Sequence, residues 1–148
     1  MHSARGFTLV ELLIVITIIA VLSSIGLATY TTFNKNARDA KRKTDANFIQ
    51  SALEQYFADQ TFYPLAGSGN CPTDADGQLR FGCSLTNPDG SKIYLTTVPS
   101  DSDPSSPYIY VPSGNSYCLF AQMEIPANAK ITSPCTPPAG YNSSVTRP

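Results

Sequence analysis

One carboxylate, Glu11, stands near the start of a long apolar run, and no charge follows it from Leu12 to Phe33. Such a run is long enough to cross a bilayer as a helix, which takes about 20 residues. An ionised carboxylate inside a span costs roughly 2.5–3.5 kcal/mol on insertion scales, so Glu11 marks a functional site in want of a partner. It is preceded by Arg5-Gly6-Phe7-Thr8. The second reactive set is four cysteines, Cys71, Cys83, Cys118 and Cys135, all in the C-terminal half. An even number beyond an apolar span suggests disulfides in an oxidising compartment. Three pairings exist; Cys71–Cys83 with Cys118–Cys135 is favoured because each closes a short loop. Four buried thiols are the plain alternative. Zinc is a weaker one, because no Cys-x-x-Cys occurs and the single histidine, His2, precedes the span.

These residues need elements to position them. Residues 7 to about 58 read as one long helix, with Gly26 its one glycine and no proline before Pro64. About 50 residues at 1.5 Å each give roughly 75–80 Å, more than a bilayer needs. The first half is apolar all round, as a membrane span should be. From Lys35 to Asp45 the helix is charged, and then Ile49, Ala52, Leu53 and Tyr56 repeat at amphipathic spacing, with Phe48 and Phe57 widening the face. The charged stretch reads as a solvated face with an Asp39–Lys43 pair at i,i+4. A contact with a neighbouring subunit or lipid headgroups is the sharper alternative.

Thr61-Phe62-Tyr63-Pro64 reads as the end of the helix. Residues 66–91 form a Gly-, Asn-, Asp- and Pro-rich loop, and Asn87-Pro88-Asp89-Gly90 signals a turn. Strands are expected over 93–98, 108–111 and 117–123, with Pro112-Ser113-Gly114-Asn115 turning the last two into a hairpin. Cys135 ties back the Pro-rich stretch that follows, and residues 137–148 read as a disordered tail.

Composition narrows the function. The formal net charge is −1, which makes no electrostatic case for binding nucleic acid. No Gly-x-Ser-x-Gly, phosphate loop or catalytic triad is present, so no enzyme is expected. Asp74-Ala75-Asp76-Gly77 lacks the downstream glutamate of an EF-hand and reads as a turn. Asn142-Ser143-Ser144 is a formal glycosylation triplet in the expected tail. The eight tyrosines read as core and sheet residues rather than a binding platform.

Gly6-Phe7-Thr8-Leu9-Val10-Glu11 resembles the N-terminal signal of type IV pilins and of the pseudopilins of type II secretion. The resemblance extends weakly through Val98-Pro99-Ser100-Asp101, Tyr108-Ile109-Tyr110 and Tyr117-Cys118-Leu119 to Met123-Glu124. It implies an α+β fold, a long N-terminal helix packed on a small antiparallel sheet. It implies cleavage by a prepilin peptidase between Gly6 and Phe7, and N-methylation of Phe7. Residues 1–6 would be the leader, 7–60 the helix (7–30 crossing the membrane before assembly), and 61–148 an extracytoplasmic head. The mature chain would lose Arg5 and carry nine basic against eleven acidic residues. Glu11 would direct filament assembly by pairing with the Phe7 ammonium of an axially shifted neighbour. Asp101 and Asp103 are the calcium candidates; no metal or other cofactor is predicted.

The implied partners are copies of the chain, the peptidase, an inner-membrane assembly platform and minor pilins or pseudopilins. The implied location is the cytoplasmic membrane, N-terminus inside, then an extracellular pilus or a periplasmic pseudopilus. Charge counting opposes that topology, since Arg5 alone precedes the span while Lys35, Arg38, Lys41, Arg42 and Lys43 follow it. A pilus subunit is preferred by a small margin. The rivals are a secretion pseudopilin and, from another class, a membrane-anchored binding module that never polymerises. Gly26-Leu27-Ala28 keeps an ordinary secretory signal open, which would yield a chain starting at Thr29.

Overall fold

The computed structural model describes residues 6–65 and 82–146. Within them lie one helix, α1 (Leu9–Gln60), a 3-10 turn (Pro126–Asn128) and five strands. The strands are β1 (Leu85–Thr86), β2 (Ile93–Leu95), β3 (Ile109–Ser113), β4 (Ser116–Ala121) and β5 (Ser143–Thr146). The fold is the α+β, pilin-like arrangement, a long N-terminal helix followed by small antiparallel sheets. The chain divides into two compact units, Met1–Asn36 and Ala37–Pro148, and α1 contributes to both.

In the first unit every described side chain from Phe7 to Phe33 is exposed. Leu, Ile and Val ring the helix with no buried stripe, which suits a segment meant for lipid or for other helices. Among the described residues, α1 is the one helix long and apolar enough to cross a membrane. The hydroxyls of Thr17, Ser24 and Thr29 are satisfied internally. Thr17 Oγ1 donates to Leu13 O at 2.7 Å, Ser24 Oγ to Val21 O at 2.7 Å, and Thr29 Oγ1 to Ile25 O at 3.2 Å. A hydrocarbon environment demands such self-satisfaction.

In the second unit α1 buries Ala46, Ile49, Ala52, Leu53 and Tyr56, the expected i, i+3, i+4 stripe. They share a core with Tyr63, Leu85, Val98, Tyr108, Tyr110, Tyr117, Leu119, Ala121 and Met123. Five of the tyrosines are thus core residues. Their hydroxyls find partners where named: Tyr110 donates to Pro64 O at 2.9 Å, and Tyr63 and Tyr117 both donate to Glu54 Oε1, at 3.0 and 3.2 Å. The helix stops at Thr61, whose φ of 64° is left-handed and whose N–H bonds Phe57 O at 2.8 Å. That is an αL cap, occupied by a β-branched residue instead of the usual glycine.

The larger sheet has the order β3-β4-β5, all antiparallel, with β4 central. The β3–β4 turn is tighter than expected, closing at Gly114-Asn115 between paired Ser113 and Ser116. Positive φ at Gly114 alone (58°) fits a type II′ hairpin turn. Strand β2 stops at Leu95, short of the expected Val98, and β1, inside the expected loop, pairs with it. The larger correction is the tail. Residues 143–146 form β5 and pair with 118–121. The outer edge of β5 is covered: Ser144 N donates to Lys130 O at 2.8 Å, and Thr132 N donates to Ser144 Oγ at 2.8 Å. Cys118 and Cys135 are disulfide-bonded, anchoring this returning segment to β4.

Candidate functional site

The N-terminal residues build a reciprocal helix cap. Thr8 precedes the first helical residue; Glu11 N donates to Thr8 Oγ1 at 3.2 Å. Glu11 Oε2 accepts from Thr8 N at 2.9 Å and from Thr8 Oγ1 at 2.8 Å. This is a Ser/Thr-x-x-Glu capping box, which satisfies two of the helix's orphan N–H groups. A carboxylate in the first turn also suits the helix dipole. The pattern Thr8-x-x-Glu11 was a readable signal that the apolar reading of the segment overlooked. In the single chain, then, Glu11 already has a partner, Thr8. Gly6 and Phe7 lie just outside the helix, exposed, and Phe7 is 78% accessible. That places the Gly6–Phe7 bond in a non-helical, reachable stretch. Residues 1–5 of the expected leader lie outside the described residues.

The second constellation is the charged stretch of α1, and it is not a solvated face. Asp39, Arg42 and Asp45 are buried. The Arg42 guanidinium grips Asp101 in a fork, Nε to Oδ2 at 2.7 Å and Nη2 to Oδ1 at 2.9 Å. It also reaches Asp39 Oδ1 at 2.9 Å and Glu124 Oε1 at 3.1 Å. Arg38 makes a second fork with Glu124, both contacts at 2.6 Å. Asp39 accepts from Glu124 N at 2.9 Å, Ile125 N at 3.0 Å and Asn128 Nδ2 at 2.9 Å. Lys41 bridges Asp45 Oδ2 and Ser100 O, each at 2.8 Å, and Tyr108 donates to Asp45 Oδ2 at 2.8 Å. The expected Asp39–Lys43 pair is replaced by Asp39–Arg42 at i,i+3, and Lys43 donates to Asn128 Oδ1 at 3.3 Å.

Charge and burial set the protonation here. The Arg38 fork holds the Glu124 carboxyl below its usual range, against a smaller opposing push from burial. Burial pushes Asp39 up, but the N–H groups of Glu124 and Ile125, the Asn128 amide and Arg42 outweigh it, so Asp39 lies low. Hydrogen bonding to Asp101 raises Arg42 further, despite burial. Burial first, and the bond to Asp45 second, push the Tyr108 phenol up. Arg38, Asp39, Arg42 and Glu124 are therefore held in their charged forms at neutral pH, and Tyr108 in its donor form. The cluster holds segments together; it offers no free nucleophile or base.

This geometry also places the two calcium candidates, Asp101 and Asp103. Both Asp101 oxygens are taken by Arg42, and Asp101 Oδ1 also accepts from Asp103 N at 2.8 Å. Asp103 Oδ1 is held by Ser105 N at 3.0 Å and Ser105 Oγ at 2.7 Å. Among the described residues no group of three or more His, Cys, Asp or Glu side chains could hold a metal. Cys83 is disulfide-bonded as well; Cys71, its favoured partner, lies outside the described residues, as do Asp74–Gly77. Asn142 is not a free acceptor in a loose tail: its amide donates to Met123 O at 2.9 Å and accepts from Met123 N at 2.7 Å. The signal for the buried ions was present. Asp39, Arg42 and Asp45 extend the Ala46–Ile49–Ala52 stripe backwards at the same spacing.

Long helix, antiparallel head and capped N-terminal carboxylate together make a pilin-like fold. Residues 1–27 match the family model described as the prokaryotic N-terminal methylation motif. The chain is 34% identical over 89 residues to a probable minor fimbrial protein of Dichelobacter nodosus, covering 60% of this chain and 56% of that one. It is 32% identical over 59 residues to the type IV major pilin protein PilA of Myxococcus xanthus, covering 40% and 27%. It is 35% identical over 65 residues to the type II secretion system core protein G of Escherichia coli, covering 44% and 45%. The matches thus span about half the length of these relatives or less. No solved structure matches. The chain carries the N-terminal signal shared by type IV pilins and type II secretion pseudopilins, and its curated relatives are of both kinds.

Proposed function

We propose that the chain is a structural subunit of a type IV pilus, cut by a prepilin peptidase after Gly6, methylated on Phe7 and polymerised through α1. The observation that carries this reading is the first unit itself. An apolar helix exposed on every side, with its one carboxylate tied off in a cap, is suited to lipid first and to other helices afterwards. On assembly the Glu11 carboxylate exchanges Thr8 for the Phe7 ammonium of a neighbouring subunit. Burial of both charges is tolerable once they pair. The chain then passes from the cytoplasmic membrane into the filament, with an assembly platform and minor subunits as further partners. Enzymatic activity and a resident metal form no part of this reading.

The second reading is a pseudopilin of type II secretion, supported by the match to core protein G. Deletion of the gene separates the two. Loss of surface fibres with protein export intact supports the pilus; loss of export with fibres intact supports the pseudopilus. A protein that stays monomeric in the membrane, with neither phenotype, would overturn both in favour of an anchored module.

A further inference from the structure

The head-facing stripe of α1 is made of two kinds of contact. From Ala37 to Asp45 its buried residues are Asp39, Arg42 and Asp45, and no apolar side chain is buried. From Ala46 to Tyr56 the buried residues are all apolar. The first stretch is held by ions and hydrogen bonds from residues 100–101 and 124–128, and at its end by the Tyr108 hydroxyl on Asp45. The second is held by the hydrophobic core. These holds fail differently. Apolar burial is non-directional and scales with area. A guanidinium fork requires one geometry, and removing one carboxylate leaves a buried cation underpaired.

We propose that Arg38, Asp39 and Arg42, with Asp101 and Glu124, form a latch that fixes where the head's hold on α1 begins. Released, it frees residues 37–45 while the apolar layer from Ala46 to Tyr56 stays packed. The latch is central at Arg42, which is 3% accessible in its side chain and joins Asp101, Asp39 and Glu124. Arg38, 40% accessible, secures Glu124 alone at the rim. Opening it as intact helix would release nine residues of α1 from the head, about 13 Å at 1.5 Å per residue. The latch belongs to the single chain and holds whether or not the chain polymerises. In a filament it would let the head shift under load before its core opens.

Hydrogen exchange on the full chain in detergent micelles tests this. A helix without tertiary support opens readily, so Asp101→Asn should speed amide exchange across 37–45 by about tenfold and leave 49–56 unchanged. Glu124→Gln keeps the Arg42–Asp101 fork and should give a smaller rise in the same window. Leu53→Ala, in the apolar layer, should speed both windows. If Asp101→Asn prevents folding, Glu124→Gln decides alone. Equal acceleration of both windows by the carboxylate variants, or none in 37–45, would overturn the latch.

Discussion

One helix serves two regions that contrast in every respect except secondary structure. In the first unit α1 is apolar all round as far as Phe33, exposes each described side chain over that stretch and bonds the hydroxyls of Thr17 and Ser24 to its own carbonyls. In the second it is two-faced, with a stripe that starts ionic and turns apolar. The first region presents an exposed apolar surface, and its chemistry is concentrated in one cap. The second is held by contacts such as Arg42–Asp101 and Asp39–Asn128, 59 and 89 positions apart in sequence. The same backbone geometry is therefore used once as an exposed apolar surface and once as the wall of a head. What differs is where each side chain finds its partner, outside the chain or inside it.

The sharpest way to break that comparison is to act on the arm alone. Glu11→Ala should abolish incorporation into filaments, with membrane levels and head folding unchanged. Shear-fraction blotting and circular dichroism of the detergent-solubilised chain check the two halves of this prediction. Abundant filaments from the variant would mean the arm needs no charged partner.

Changes to the head should do the reverse, lowering stability first. Leu53→Ala removes a fully buried side chain and should cost about 2–5 kcal/mol in denaturant unfolding of the head. Arg42→Met leaves Asp101 and Asp39 without their shared cation and should cost about 3 kcal/mol, in the range of broken buried pairs. Reducing Cys118–Cys135, which closes a loop with a sequence separation of 17, should cost roughly 3 kcal/mol and release β5 before the rest of the sheet. Exchange at the Ser143–Thr146 amides reads that order directly.

A smaller effect concerns pH. Glu124 and Asp39 titrate lower in the folded head than their ordinary values of 4.5 and 3.8. Groups lowered on folding stabilise fully above their unfolded values and lose that contribution as pH falls through the folded ones. The head should thus keep constant stability from neutral pH down to about 5 and weaken progressively below about 4.5. Glu124→Gln should flatten the acid limb; an unchanged slope would remove Glu124 from the account. The smallest effect is expected from Thr8→Ser, which preserves the capping oxygen and should leave helix content in micelles unchanged.

Much of this was legible in the chain because it is written locally. The long helix needed only its missing prolines, the membrane-length run only its composition, and the apolar stripe only its spacing. The Gly114 turn and the pairing of Cys118 with Cys135 were similarly short-range. The ionic layer was misread because Arg42 and Asp101 are 59 positions apart, and a charged residue on a helix is solvated unless the fold brings it a partner. Strand β5 was missed for a related reason. Ser143-Ser144-Val145-Thr146 has weak strand character by itself and is held by β4, Lys130 and Thr132. At the N-terminus the cap is local, written in the Thr8-x-x-Glu11 spacing.

The central claim is that the arm is processed and then becomes the assembly element. Mass analysis of the N-terminal peptide, from chain recovered in the filament fraction of the native host, tests it most directly. The account predicts a peptide beginning at Phe7 and carrying one methyl group on its α-amine. A filament-borne chain that still begins at Met1, or any mature chain that begins at Thr29, would contradict it.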